Sequence, residues 1–190
     1  DQEASGTSMF DPVLTELCYR WVCPPGGLVL DPFAGGSVRG IVASVLGYKY
    51  EGFELRAEQV AANRRQAADI CPENSPAWHV GDSAAQIPLW GGQADFLFSC
   101  PPYGDLEVYS DMPDDLSAMS HEDFLVAYRT VIAAAVDKLA PDSFAVFVVG
   151  DYRCKKGFYR NFVGETVAAF EAAGARFYNE AILVTAVGSL

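Results

Sequence analysis

Four short stations in this sequence combine acids, glycines and prolines in a way that could do chemistry. The first is Asp31-Pro32-Phe33-Ala34-Gly35-Gly36-Ser37, which follows the apolar Val29-Leu30. Glycines there let a ligand approach the backbone closely, and the N-terminus of a following helix offers free N–H groups and a positive dipole end. The glycines fit neither the GxxxxGK[ST] nor the GxGxxG spacing, so a phosphate grip of the common kinds is not indicated. Glu54 is the second station, at the end of the next apolar segment, where a carboxylate commonly accepts from the two hydroxyls of a ribose. Asp82 is the third, and Cys100-Pro101-Pro102-Tyr103 the fourth. An acid at a strand end is, taken singly, more often a turn residue or helix cap. Four such stations in order point to one nucleotide-type site along the C-terminal edge of a parallel sheet.

The elements that must position these stations follow from periodicity and punctuation. Residues 1–9 are polar and read as irregular. Asp11 is placed to cap a helix with Pro12 at its first position, running to about Trp21, and Pro24-Pro25-Gly26-Gly27 ends it. Apolar residues at helical spacing predict a helix over 37–46, then a strand over 50–54 and a helix over 56–70. Trp78-His79-Val80 reads as a third strand, 84–93 as a loop, and 94–99 as a fourth strand, apolar enough to be buried on both faces. Ser120 caps a long helix to about Leu139, with Phe124, Tyr128, Val131, Ala135 and Leu139 on one face. Pro141-Asp142 then turns into a fifth strand over 144–149. A helix to about Ala173 and a last strand over 177–187 complete the pattern. Alternating strands and helices predict an α/β fold, a doubly wound and mostly parallel sheet with helices on both faces.

Composition narrows the class. The chain has 190 residues, 51% of them apolar, which suits a single domain with a full core. Its five cysteines form no CxxC pair, so neither a zinc site nor a disulfide framework is expected. No apolar run reaches the length of a membrane span and no signal-peptide pattern is present, so no membrane partner and a cytoplasmic setting are expected. A net charge of −12 argues against a uniformly basic surface wrapped by nucleic acid. Any such contact must come from a local patch, and Arg153, Lys155, Lys156 and Arg160 form the candidate, although an ordinary solvated loop has equal standing. Phe158 and Tyr159 within that segment are candidate wedges, although aromatics opening a helix are more often core.

With these motifs in view, the sequence resembles the S-adenosylmethionine-dependent DNA amino-methyltransferases, a Rossmann-like family of bacteria and phages that includes restriction-modification enzymes. The stretch from Asp31 to Ser37 is similar to the DPFxGSG-type cofactor loop, and Ser8-Met9-Phe10-Asp11-Pro12 to the helix-start motif at the methionine end of the cofactor. The resemblance implies that Glu54 holds the ribose, that Asp82 contacts the adenine ring, and that Cys100-Pro101-Pro102-Tyr103 is the catalytic [D/N/S]-P-P-[Y/F/W] loop. It further implies S-adenosylmethionine as cofactor and DNA as partner, with a base swung out and stacked on Tyr103, and it leaves room for a protein partner or homodimer. In such a loop, the first side chain and the Pro101 carbonyl accept from the exocyclic amine and favour its nucleophilic form.

The sequence departs from the family at Cys100, since a thiol is a weak acceptor. Activation could pass to neighbouring Ser99, Cys100 could attack a cytosine ring covalently, or the domain could bind without catalysis. An RNA or small-molecule acceptor is a further alternative, easier to reconcile with the net charge. The acidic stretch from Gly104 to Asp115 suggests a lid or a surface for a basic partner. Neither a returning antiparallel final strand nor a separate target-recognition domain is evident.

Overall fold

Leu28–Asp31 (β1) and Ala94–Ser99 (β4) form the centre of a five-stranded parallel sheet. Lys49–Glu54 (β2) and Ala77–Val80 (β3) extend it on one side and Leu139–Phe147 (β5) on the other, in the order β3-β2-β1-β4-β5. The chain crosses from one half of the sheet to the other after β3, so the switch in winding lies between the neighbours β1 and β4, and the loops after these two strands open the crevice where sheets of this kind bind ligands. The computed structural model describes residues 9–104 and 115–184.

Both sheet faces are covered, and the strands read accordingly. Val29, Tyr50, Trp78, Phe96 and Phe98 share a cluster with Tyr19 of Pro12–Val22 (α1), Ala43 of Val38–Val45 (α2), and Val60 and Ala67 of Ala57–Ile70 (α3). Leu30, Phe53 and Leu97 join a second cluster with Ile87 of Ser83–Leu89 (α4) and with Val131 and Ala135 of His121–Asp137 (α5). Adjacent residues such as Val29 and Leu30 thus enter opposite layers, as the two-residue strand period requires. A third cluster joins Phe124, Tyr128 and Ile132 of α5 to Tyr152 and to Phe162 and Ala169 of Phe162–Ala172 (α6). The Rossmann-like doubly wound fold expected from the alternation of elements is present. No helix among the described residues is long and apolar enough to cross a membrane.

Four local expectations change. Residues 83–89 are a helix rather than a loop: the Asp82 carboxylate caps its first turn by accepting from the Ala84 N–H, and Ile87 is fully buried. The turn at Pro141-Asp142 lies inside β5, where the register with β4 shifts and Asp142 adopts a positive φ of 59°. The basic segment is a hairpin: Tyr152–Arg153 (β6) pairs antiparallel with Tyr159–Arg160 (β7). Its Phe158 and Tyr159, read as core, are 71% and 63% exposed. Finally, 177–184 pairs with no strand. Tyr178 packs edge-on against Phe144, and the strand-like alternation there finds no ladder among the described residues. The acidic stretch 105–114, Ser8 and the remainder of the last expected strand lie outside the described residues.

Close contact between α2 and β3 depends on Gly40. A Cβ at this position would stand 2.6 Å from Trp78 Cζ2 and 3.1 Å from both Pro76 and Tyr50. Those neighbours are rings and a proline, which cannot fold away. Gly40→Ala should therefore cost about 1–3 kcal/mol through overpacking, read as a lower urea midpoint with an unchanged slope.

Candidate active site

Asp31 ends β1 at the crevice, and its side chain is fully buried. Burying a carboxylate is costly unless its lone pairs are taken. Here Oδ2 accepts from Arg39 Nε at 2.6 Å and from the Tyr50 hydroxyl at 2.7 Å. Oδ1 accepts from the Ser99 hydroxyl at 2.5 Å and from the Phe33 N–H at 3.2 Å. Burial opposes the Arg39 charge, but the Asp31 carboxylate, with smaller contributions from Tyr50 and Cys100, outweighs it and holds the guanidinium above its ordinary range. Burial first and the Asp31 charge second push Tyr50 well above the usual phenol range, so it remains a neutral donor.

The same arginine shapes the loop. Arg39 Nη2 donates to the Phe33 carbonyl at 2.6 Å and to the Ala34 carbonyl at 3.0 Å. The Phe10 ring lies 4.7 Å from the guanidinium carbon and packs edge-on against Phe98. Ser83 at the start of α4 donates to the Pro32 carbonyl, and Asn63 of α3 donates to the Gly35 carbonyl. Almost every polar backbone atom from Pro32 to Gly35 is thereby fixed by a side chain or by β2, since the Ala34 N–H bonds the Phe53 carbonyl. Arg39, Asn63, Ser83 and Tyr50 did not figure among the sequence-derived site residues.

Several expected contact residues face inward instead. The Asp31 and Ser99 side chains are spent on one another, which removes Ser99 as a substitute activator. Phe33 turns its ring toward Tyr128 and Phe147, leaving its backbone to the loop. Ser37 donates to Gln66 of α3. Asp11 caps α1 by accepting from the Val13 and Leu14 N–H groups. Asp82 caps α4, on the same edge of the sheet as the loop.

What remains open faces the crevice. Gly35, at a φ of +51°, and Gly36 have no heavy atom within 4 Å of where a Cβ would stand. Beside them begins α2, whose first N–H groups have no helical acceptor. Glu54 ends β2 with its carboxylate accepting from the Gly35 N–H at 3.0 Å, the Arg56 N–H at 2.9 Å and Arg56 Nε at 3.3 Å. A carboxylate has about four acceptor positions, so one stays available for a hydroxyl. These residues suit the nucleoside and amino-acid portions of S-adenosylmethionine better than a polyphosphate.

Cys100 to Tyr103 leave β4 directly beside this cradle. Cys100 is half-buried, Pro101 is buried, and Tyr103 is half-buried with Tyr152 and Phe162 standing at steep angles to its ring, at 5.8 and 5.7 Å. The prolines restrict the backbone of this segment and place the Pro101 carbonyl without the entropy of a flexible loop. Through Tyr152 the loop also touches the basic hairpin, in which Lys155 and Lys156 sit at the turn and Arg153 lies over Tyr159. Arg160, on the inner register with Tyr152, is half-buried.

No family model matches the chain, and no curated protein does. Solved structures do share its fold. TrmN from Thermus thermophilus superposes with a TM-score of 0.59 at 19% identity, over 75% of this chain and 39% of that one. A TehB-like SAM-dependent methyltransferase from Corynebacterium glutamicum gives 0.56 at 17% identity, over 90% and 75%. The fold is that of the SAM-dependent methyltransferases. An rRNA methylase from Streptococcus thermophilus gives 0.51 at 12% identity, over 74% and 71%. The chain thus spans well under half the length of the Thermus protein, and most of the other two.

Removing Arg39 strands a buried carboxylate. Arg39→Met should destabilise the domain by about 3–5 kcal/mol in urea unfolding, and Asp31→Asn in the same chain should recover part of that loss.

Proposed function

We propose that this chain binds S-adenosylmethionine and methylates an exocyclic amine, adenine N6 or cytosine N4, of a nucleobase in DNA. The observation that carries the reading is the meeting of two loops at the sheet crossover: the open Gly35-Gly36 cradle after β1 and the Cys100-Pro101-Pro102-Tyr103 segment after β4. The shared methyltransferase fold supports it. Gly35, Gly36, the first N–H groups of α2 and the remaining acceptor of Glu54 would hold the cofactor, with Asp82 beside the adenine ring. Bound there, S-adenosylmethionine would supply a methyl group on a sulfonium: the amine nitrogen forms the new N–C bond, the sulfur keeps the electron pair of the broken S–C bond and leaves as a neutral thioether, and the surplus proton of the nitrogen passes to solvent.

The chain's own part is positioning. An exocyclic amine is a poor nucleophile because its lone pair is delocalised into the ring. The Pro101 carbonyl accepts from one amine N–H and favours the pyramidal, nucleophilic nitrogen, while the Cys100 sulfur is a weaker second acceptor. Tyr103 stacks on the base, and its packing against Tyr152 and Phe162 keeps the ring from moving with it. A second reading, with RNA as acceptor, is favoured by the likeness to the Streptococcus rRNA methylase.

Three measurements test these statements. Calorimetry should show S-adenosylmethionine binding that Glu54→Ala weakens more than tenfold, because both the cofactor acceptor and the Gly35 anchor are lost; no binding by the native chain overturns the proposal. Mass spectrometry of nucleosides from DNA and RNA treated with the protein should show an N-methylated base. A C5-methylated cytosine would instead make Cys100 a nucleophile. In the transfer assay, Tyr103→Ala should lower kcat/KM by about 5- to 150-fold, the worth of one base stack, and Tyr103→Phe should keep the rate.

A further inference from the structure

The β6–β7 hairpin departs from the charge and polarity of the rest of the chain. Residues 152–160 hold four of the chain's thirteen lysines and arginines, in a sequence whose net charge is −12. No acid interrupts them, and the preceding Asp151 accepts from the Val163 N–H at the start of α6. The two strands have distinct faces. Tyr152 and Arg160 pair on the inner one, where Tyr152 is buried against Tyr103 and Phe162. Arg153 and Tyr159 pair on the outer one, where the guanidinium carbon lies 4.3 Å from the centre of the Tyr159 ring. The Cys154 N–H bonds the Phe158 carbonyl, the Gly157 N–H bonds the Cys154 carbonyl, and Gly157 takes a φ of +85°. This closes a tight turn that holds Lys155 and Lys156 outward, next to the exposed Phe158.

We propose that the outer face of this hairpin binds an unpaired nucleic acid strand, with Arg153 and Tyr159 as stacking platform and Lys155 and Lys156 on its phosphates. Aromatic and guanidinium planes stack on any base face, whereas a paired duplex keeps those faces covered. The small basic patch fits a short run of single-strand phosphates. A duplex, with one charge per about 1.7 Å of axis, would face the acidic remainder of the molecule. Tyr152, on the opposite face, packs against Tyr103, so the hairpin borders the Cys100–Tyr103 loop. The inference deepens the nucleobase reading above and rests on it for its purpose, but its test needs no methyl transfer.

The test is fluorescence anisotropy of labelled oligothymidylate, oligouridylate and a duplex of the same length, without cofactor. At least one single strand should bind at least tenfold more tightly than the duplex, and the two arms distinguish DNA from RNA. Tyr159→Ala should weaken single-strand binding by about 5- to 150-fold, the worth of one stack, and leave its salt dependence unchanged. Lys155→Gln with Lys156→Gln should flatten the salt slope by about 1.4, at 0.7 per phosphate. Tyr159→Trp, which keeps the platform, should bind at least as well as the native chain, and all variants should melt with the native midpoint. Equal or tighter duplex binding, native affinity in the Tyr159→Ala variant, or no binding at all overturns the proposal. Calorimetry with S-adenosylmethionine on the same samples separates the two readings: its failure with strand binding intact counts against methyl transfer alone.

Discussion

The buried carboxylate of Asp31 is the constraint around which the site is built. It ends the central strand at the crossover of the sheet, where a turn must begin and a ligand must be admitted. Its four hydrogen bonds reach β2 through Tyr50, α2 through Arg39, β4 through Ser99, and its own loop through Phe33. A charge in so dry a place is tolerable only while every partner stays in position. The geometry of the crevice is therefore coupled to the packing of the sheet itself. Arg39 extends that coupling outward, since one guanidinium neutralises Asp31, holds two loop carbonyls and seats Phe10.

The fold was legible because strand ends were marked by abrupt changes from apolar runs to acids, glycines or prolines, as at Asp31, Glu54 and Cys100. The roles within the loop were less so. Asp31 and Ser99 look alike whether they face a ligand or each other, and only the pairing of β1 with β4 decides between the two. Arg39 and Asn63 carried a usable signal: each is a polar residue on the buried face of its helix, and Asn63 stands between Val60 and Ala67 at helical spacing. A polar group in such a position must have a buried partner. Helix α4 escaped notice because it is short and has Pro88 in its last turn. The hairpin has two residue pairs, too few for alternation to show. The stretch over 177–184 had the alternation of a strand, yet a strand is defined by its neighbour, and sequence periodicity names no neighbour.

Charge is distributed so that the chain's overall acidity says little about the crevice. The carboxylates nearest the cradle are committed, Asp31 to Arg39 and Glu54 to Arg56 and Gly35. Three exposed cations, Arg153, Lys155 and Lys156, lie close together on the hairpin, while the other exposed ones are spread over the described surface. A net charge of −12 thus describes long-range repulsion and solubility, whereas contact chemistry is set within a few ångströms by which charges already have partners.

The irregularity in β5 has a separate consequence. Among the described residues this strand forms the open edge of the sheet beyond β4, and an unbroken edge offers a row of free N–H and C=O groups to any extended chain it meets. Pro141 removes one donor from that row, and Asp142, with its positive φ, throws the backbone out of register and adds a charge. The break lets β5 complete the pocket side of the sheet at its C-terminal end while blunting its other end against self-association. The same few residues that spoil the strand's regularity interrupt the row of groups on which another extended chain would pair.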